Sequence, residues 1–552
     1  MKISRKSSFA SLSILVLGCA TSVACSNDDN GSSSNDGGTG GSVGESGGSG
    51  GTGATGSGGK STGGSGGALV STGGSSGAGA GGLVITVDGG VIPRDSGTGD
   101  ASADAADAGA VARFRVVHAA PGAGAVDIYV SGTTKPVATN IDYGAATPYL
   151  ALDPGTYKFD LRAAGATASS SAIYTTPSVD VAAGIKYTAI AEGNIASTDA
   201  ADEFRVATLP ETFAPATAGK ARIRVVHANY DGPTVSLDIG NDNPKAPEVA
   251  DLKRFADTGE AGVEVDANAA VQVGVVVGTT TLTAFTTPKL DEGADVFVIA
   301  TGLAAKLARE PTGLAALAVL PDSTTVLIRQ NPRLYTLHAS IDAGAVDVFS
   351  GATELIDSAN FGDVPFVQVP PGALTMDLFA AVAGVSTRPV GAPVATLTTP
   401  ILQAGNSYLG VVAGTVLTAP QTVKLGVYQE GFDLTKPAQS LLRVVHGSAD
   451  TGTIDVSLVS TPGTLVTPPA FPALAFGDAS GVAGTSVAVA PEKFGVAPTG
   501  TTSTLAEFNV TTMAPQRAFA VVAGSGNSNV HPLQLVVVDT TGVWAVHDIP
   551  KN

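Results

Sequence analysis

The sequence predicts an all-β protein: four tandem antiparallel β-sandwich (Ig-like) domains behind a disordered Gly/Ser-rich tether. Three observations carry that reading. The sixteen-residue phrase RVVHAAPGAGAVDIYV at 115–130 returns without a gap as RVVHANYDGPTVSLDI at 224–239, YTLHASIDAGAVDVFS at 335–350 and RVVHGSADTGTIDVSL at 443–458. Its histidines, His118, His227, His338 and His446, stand 109, 111 and 108 residues apart, a period that suits one compact domain per copy and is too long for a solenoid turn. Within each copy, short β-rich runs are separated by Gly, Pro and Asp with no long helical period. Ahead of them, residues 26–111 are almost wholly Gly, Ser, Thr, Ala, Asp and Asn, a composition that cannot bury a core.

Residues 1–25 read as a signal peptide, with Lys2, Arg5 and Lys6 before the apolar run Phe9–Leu17 and small residues leading to a cysteine. The stretch Val16-Leu17-Gly18-Cys19 resembles the bacterial lipoprotein signal, in which the cysteine is lipidated and becomes the new N-terminus. Cys25, after Val23-Ala24, is the alternative lipidation site. Neither cysteine is followed by Asp, which by that resemblance points to an outer-membrane lipoprotein, surface-exposed or periplasm-facing, with outer-membrane lipid as its partner through the anchor. These are the chain's only two cysteines, so the four domains are expected to stand on packing without disulfides. Beyond the signal there is no apolar run of about 18 residues or more to span a membrane.

The segment 26–111 is expected to behave as a flexible coil spanning on the order of 50 Å. Its apolar island Leu83–Val87 reads as a break in the low complexity. A loose phosphate-loop match at Ala54–Ser61 and a nucleophile-elbow match at Gly44–Gly48 lack the flanking strand and helix that such motifs need. The net charge of −18, from 48 acidic and 30 basic side chains, repels nucleic acid, so no nucleic-acid partner is expected.

Domain boundaries follow the repeat: 112–218, 219–330, 331–437 and 438–552. In the first copy the strands are expected at Phe114–His118, Val126–Val130, Tyr149–Leu152, Thr156–Leu161, Val179–Ala182, Lys186–Ala191 and Phe204–Leu209. Later copies keep the punctuation. Phe361-Gly362-Asp363 and Phe476-Gly477-Asp478 match each other, with Phe255-Ala256-Asp257 and Tyr143-Gly144-Ala145 as looser versions, and Thr-Thr-Pro recurs at 175–177, 286–288 and 398–400. This order of motifs resembles the uncharacterised bacterial family called domain of unknown function 4397, from residue 112 to about 552, with the second and fourth copies degenerate. The resemblance implies a β-sandwich in an extracytoplasmic setting and brings no activity or catalytic residues.

An aspartate nine residues after the histidine, as in His118/Asp127, His338/Asp347 and His446/Asp455, invites a dyad reading. Strand alternation argues against it. Phe114, Val116 and His118 share a face opposite Arg113 and Arg115, and on the next strand Val126, Ile128 and Val130 turn inward, leaving Asp127 outward. The second copy has Ser236 in place of the aspartate. His118, His227, His338 and His446 are therefore expected to be neutral, hydrogen-bonded structural groups, and the recurring aspartate a solvated strand residue. The run Asp238–Asn243 reads as an Asx-rich turn, and no catalytic, metal or cofactor site is assigned. The expected function is a non-enzymatic cell-surface module for binding or adhesion to a protein or glycan. The alternatives are a structural envelope spacer and, behind it, an exported hydrolase.

Overall fold

The computed structural model describes residues 111–382 and 384–551, together with the backbone strand Val84–Ile85. The expected signal peptide, Cys19, Cys25 and nearly all of the tether lie outside the described residues. Among the described residues the chain is all-β: every regular element is a strand, and none is a helix long and apolar enough to cross a membrane. The island in the tether supplies more than a break in composition, because Val84 and Ile85 pair in parallel with Ala151 and Leu152.

Each repeat segment contributes two principal sheets. In the first, Ala112–His118 lies between Leu150–Leu152 and Lys186–Glu192, with Arg205–Pro210 beyond, while Val126–Val130 lies between Pro136–Ile141 and Phe159–Ala163, with Tyr174–Thr175 beyond. The opening strand is parallel to Lys186–Glu192, in register Phe114↔Tyr187 and His118↔Ala191. The same parallel pair recurs between Lys220–His227 and Asp295–Thr301, Arg333–Ser340 and Ser407–Gly414, and Ser440–His446 and Gln516–Ala523. The other pairings inside the repeats are antiparallel. Odd and even copies differ at one edge: Thr325–Arg329 and Ala545–Pro550 add a further strand in the second and fourth, whereas the first and third end on Arg205–Pro210 and Lys424–Gln429.

A core lies between the two sheets of each copy. Phe114, Val116 and Tyr187 from one sheet meet Ile128 and Phe159 from the other, with the rings of Phe114 and Phe159 stacked at 4.9 Å. In the fourth copy Val444, Ala520 and Leu535 meet Val456, Phe494 and Phe508. The opening strands are buried on both faces, however, and this departs from the simple alternation expected of a sandwich strand. The second face is an interface between copies. Val117, Ala119 and Ile190 pack on Val226, Phe297, Ile299 and Val319, and Tyr335, Leu409 and Val411 pack on Val445, Phe519, Val521 and Val536. Repeats 1 and 2, and repeats 3 and 4, are thus closed by apolar joints.

Between repeats 2 and 3 the contacts are polar. Gln368 donates to Thr283 Oγ1 (3.0 Å) and accepts from Ala284 N (3.0 Å), Asn331 donates to Gln272 Oε1 (2.7 Å), and Arg309 pairs with Glu430 at 2.7 Å. The architecture is two apolar pairs joined by a polar seam.

Truncating a core ring in one copy should destabilise that copy first. Phe508→Ala removes a fully buried side chain and is expected to lower the unfolding free energy by about 3–5 kcal/mol. Urea denaturation followed by the fluorescence of Trp544, the sole tryptophan, reads the loss.

Candidate functional site

The four histidines occupy one structural position. They lie at or, for His338, two residues before the ends of their opening strands at 1%, 3%, 4% and 0% exposure, and each Nε2 donates to the carbonyl six residues on: Gly124 (2.7 Å), Pro233 (2.9 Å), Gly344 (2.7 Å) and Gly452 (2.7 Å). Nδ1 accepts from the N–H two residues on in three copies, at Ala120, Ser340 and Ser448. Donation from one nitrogen and acceptance at the other define the neutral Nε2–H tautomer. Burial lowers all four below the ordinary value of 6.5, against the raising effect of those carbonyls. Each imidazole staples the loop after its strand back onto the strand end.

The recurring aspartate does something the sequence reading did not anticipate. Asp127, Asp347 and Asp455 are 5%, 1% and 6% exposed, so the expectation of a solvated residue is wrong. Their strand carries a register shift in every copy, opposite a residue held at positive φ: Asn140 (52°), Asp251 (52°), Ser358 (51°) and Ala473 (53°). The N–H of that strained residue donates to the side chain across from it, Asn140 to Asp127 (2.8 Å), Ser358 to Asp347 (2.9 Å) and Ala473 to Asp455 (2.7 Å). In the second copy Asp251 donates to Ser236 Oγ at 3.2 Å, so the serine fills the same post. The second carboxylate oxygen accepts from Gly165, Val382 or Gly500 in the next hairpin. A non-glycine left-handed residue and an irregular pairing are costly, and these hydrogen bonds offset them. Asp238, likewise fully buried, caps Asp242 and Asn243, as an Asx turn does.

The largest finding outside the sequence reading is the first residue of the repeated phrase. Arg115, placed outward by alternation, is 1% exposed and lies in the joint. Its Nε donates to Thr188 Oγ1 (2.8 Å) and pairs with Glu211 (3.2 Å), while Nη1 crosses to Leu320 O of repeat 2 at 2.6 Å. Reciprocally, Arg224 pairs with Asp257 (2.7 Å) and crosses to Pro210 O of repeat 1 at 2.9 Å. Leu320 and Pro210 stand at matching places, the end of the strand after the parallel pair, so the joint has the isologous form of a two-fold. Phe297 lies between the guanidinium groups, 5.9 Å from Arg115 and 5.8 Å from Arg224. In the other pair Arg443 donates to Gln429 O (2.6 Å), and Tyr335, replacing the arginine, stacks on Trp544 at 3.9 Å.

The aromatic of the Phe-Gly-Asp punctuation serves the same joints. Phe255 sits under Arg205 (4.0 Å), Phe361 stacks on His531 (4.1 Å), Phe476 lies under Lys424 (5.0 Å), and Tyr143 hydrogen-bonds Thr301 (3.2 Å), each contact crossing to the paired copy. The signal was present as recurrence; what it recurred for needs the pairing of copies to be known.

Two further features have the form of sites. Asp347, Glu354 and Asp357 bring carboxylate oxygens within 4.8 Å of one another, a donor set that suits only a hard cation. Asp347 already accepts two backbone N–H bonds there, and Asp357 is exposed. At the loop end of the second pair a cleft of about 230 Å³ is lined by Ile341, Thr418, Pro420, Ala449 and Asp450. Asp450 in its wall is already engaged, accepting from Ser525 Oγ (2.6 Å), as is the neighbouring Asp342, which accepts from Val416 (2.8 Å) and Thr418 (2.7 Å).

Two outcomes follow from this geometry. Arg115→Ala leaves the half-buried Glu211 carboxylate with Tyr149 and Thr188 as donors but without its cation and is expected to cost about 2–3 kcal/mol, with Glu211→Gln in the same chain recovering part of it in thermal unfolding. For the histidines, a folded-state pKa below 6.5 means that the unfolded chain takes up protons first, so their support is complete above pH 6.5 and fades as pH falls. Nitrogen-15 imidazole spectra at pH 6.5 should show four neutral Nε2–H rings, and imidazolium at those four residues would contradict the assignment.

No curated protein matches the chain. The family model for the domain of unknown function (DUF4397) matches residues 112–238 and 332–457. Each match begins at the opening strand of an odd copy and runs into the second strand of the even copy that follows, so the model matches twice in tandem, once on each pair of copies.

Proposed function

We propose that the chain is a non-enzymatic surface lipoprotein that displays four Ig-like β-sandwich domains, as two closed pairs, for binding or adhesion. Anchorage is through lipid on Cys19, or on Cys25, and the Gly/Ser-rich segment holds the pairs away from the outer membrane. One observation carries the reading: the recurring polar side chains, the histidine of all four copies and the aspartate and phrase-opening arginine of three each, are engaged inside, in loop staples, bulge clamps and joints. What differs between copies is the loops, and differing loops on a shared scaffold are where recognition is ordinarily placed.

Large apolar side chains stand exposed on such loops. Val382, Val385 and Val390, on the hairpin loop of repeat 3, are 50%, 40% and 105% exposed. A protein partner suits them better than a glycan, because the sole tryptophan already has its ring stacked on Tyr335. Paired copies multiply weak contacts by effective concentration where two can engage at once. A structural spacer remains the second reading, favoured by the closed joints.

Residues 112–552 applied to protein and glycan arrays should give protein hits, weakened about tenfold when Val382, Val385 and Val390 are changed to serine. Binding to neither array favours the spacer.

A further inference from the structure

Glu192 ends the strand Lys186–Glu192 at 0% exposure, and neither of its carboxylate oxygens has a hydrogen-bond partner. It shares a face with Ile190, which packs in the joint against Val226 and Phe297. The equivalent positions of the other copies hold Thr301, Ala413 and Ala523, none of them ionisable. Thr301 donates to Ala119 O across the joint at 2.6 Å, so a neutral hydroxyl is what this position accommodates in the matching half. A buried carboxylate in its place is tolerable as the neutral acid and unfavourable as the anion.

We propose that the joint between repeats 1 and 2 is operated by a proton: it is held closed by the neutral acid of Glu192 and loosened when that proton is lost to solvent. The groups facing Glu192 leave the burden on burial. Arg205 is its cross-strand partner but lays its guanidinium over Phe255, and Asp257 of repeat 2 is paired with Arg224. His118, in register with the neighbouring Ala191, directs Nε2 to Gly124 O. Burial raises Glu192 from 4.5 to about 8, with Arg205 opposing and Asp257 adding.

The sign follows. The closed joint retains the proton that an opened, solvated Glu192 gives up, so closure is strongest below about pH 4.5, weakens through the interval up to about 8, and changes no further above it. The joint between repeats 3 and 4, with Ala413 and Ala523 at these positions, lacks the device. An envelope protein so built tightens one of its two pairs in acid and relaxes it near neutrality.

Hydrogen exchange on the full chain tests this, with intrinsic rates corrected for pH. In the strands Lys186–Glu192 and Asp295–Thr301 the opening constant should rise about tenfold per pH unit from pH 5.5 to about 8 and then level. In Glu192→Gln the rise should vanish, while the strands Ser407–Gly414 and Gln516–Ala523 serve as the internal control. Glu192→Thr, which copies Thr301, gives the same reading should the glutamine variant fail to fold. A flat profile in the unaltered chain, or an unchanged slope in both variants, overturns the proposal.

Discussion

A guanidinium can leave water only where its charge and its N–H groups are met, and in this chain a carboxylate of the same copy meets the charge while another copy of the repeat supplies the remaining acceptor. Arg115 reaches the carbonyl of Leu320 and Arg224 that of Pro210, each from the centre of a sheet face that would otherwise be an exposed apolar surface. The reciprocal bonds fix register and distance together, since sliding one sheet over the other breaks both crossings and leaves two buried guanidinium groups, each still paired with a carboxylate of its own copy, short of an acceptor. The joint specifies as well as stabilises. Where Tyr335 replaces the arginine, the matching post is filled by stacking on Trp544, which leaves Arg443 as the one phrase-opening guanidinium in that interface.

Once the joint is in place, the rest of each copy is constrained from within. The opening strand is buried on both faces, so it cannot carry variation, and the loop that follows it is held by the histidine. The pairing of the next strand is broken by a register shift, and the aspartate holds the left-handed residue opposite it. Ser236 shows how little chemistry this takes: a hydroxyl meets the same N–H, in the one copy whose strained residue, Asp251, brings its own carboxylate. Recurrence of a His and an Asp at fixed spacing thus marks two separate mechanical tasks.

The strands themselves were legible. Val126–Val130 is where alternation puts it, and Lys186–Glu192 and Arg205–Pro210 lie within a residue of expectation. Pro136–Ile141 was not, because Pro136 and the polar Thr139 and Asn140 hide a strand whose irregular pairing is held by a side chain from elsewhere. The outward placement of Arg115 and Asp127 was correct as to face and wrong as to environment. Alternation assigns sides of a sheet; it does not say whether the far side is water, a hairpin or another domain. The adjacent valines Val116-Val117, Val225-Val226 and Val444-Val445 did contain the warning, since a strand with one wet face has no reason to be apolar on both.

Four copies at nearly equal spacing suggest four equivalent units, yet the structural period is two. At the edge beyond the strand that follows the parallel pair, only the even copies extend their joint-bearing sheet, at Thr325–Arg329 and Ala545–Pro550, and apolar and polar seams alternate along the chain. The family model matches with the same period, opening at residues 112 and 332 and closing inside the first hairpin of the even copy. A single copy has an apolar second face that only a partner copy covers, so gain or loss of one copy exposes that face, while gain or loss of a pair does not. The number of copies in a chain of this design is therefore constrained to be even unless two chains share a joint. The polar seam at Gln368, Asn331 and Arg309 is the place where whole pairs can be added.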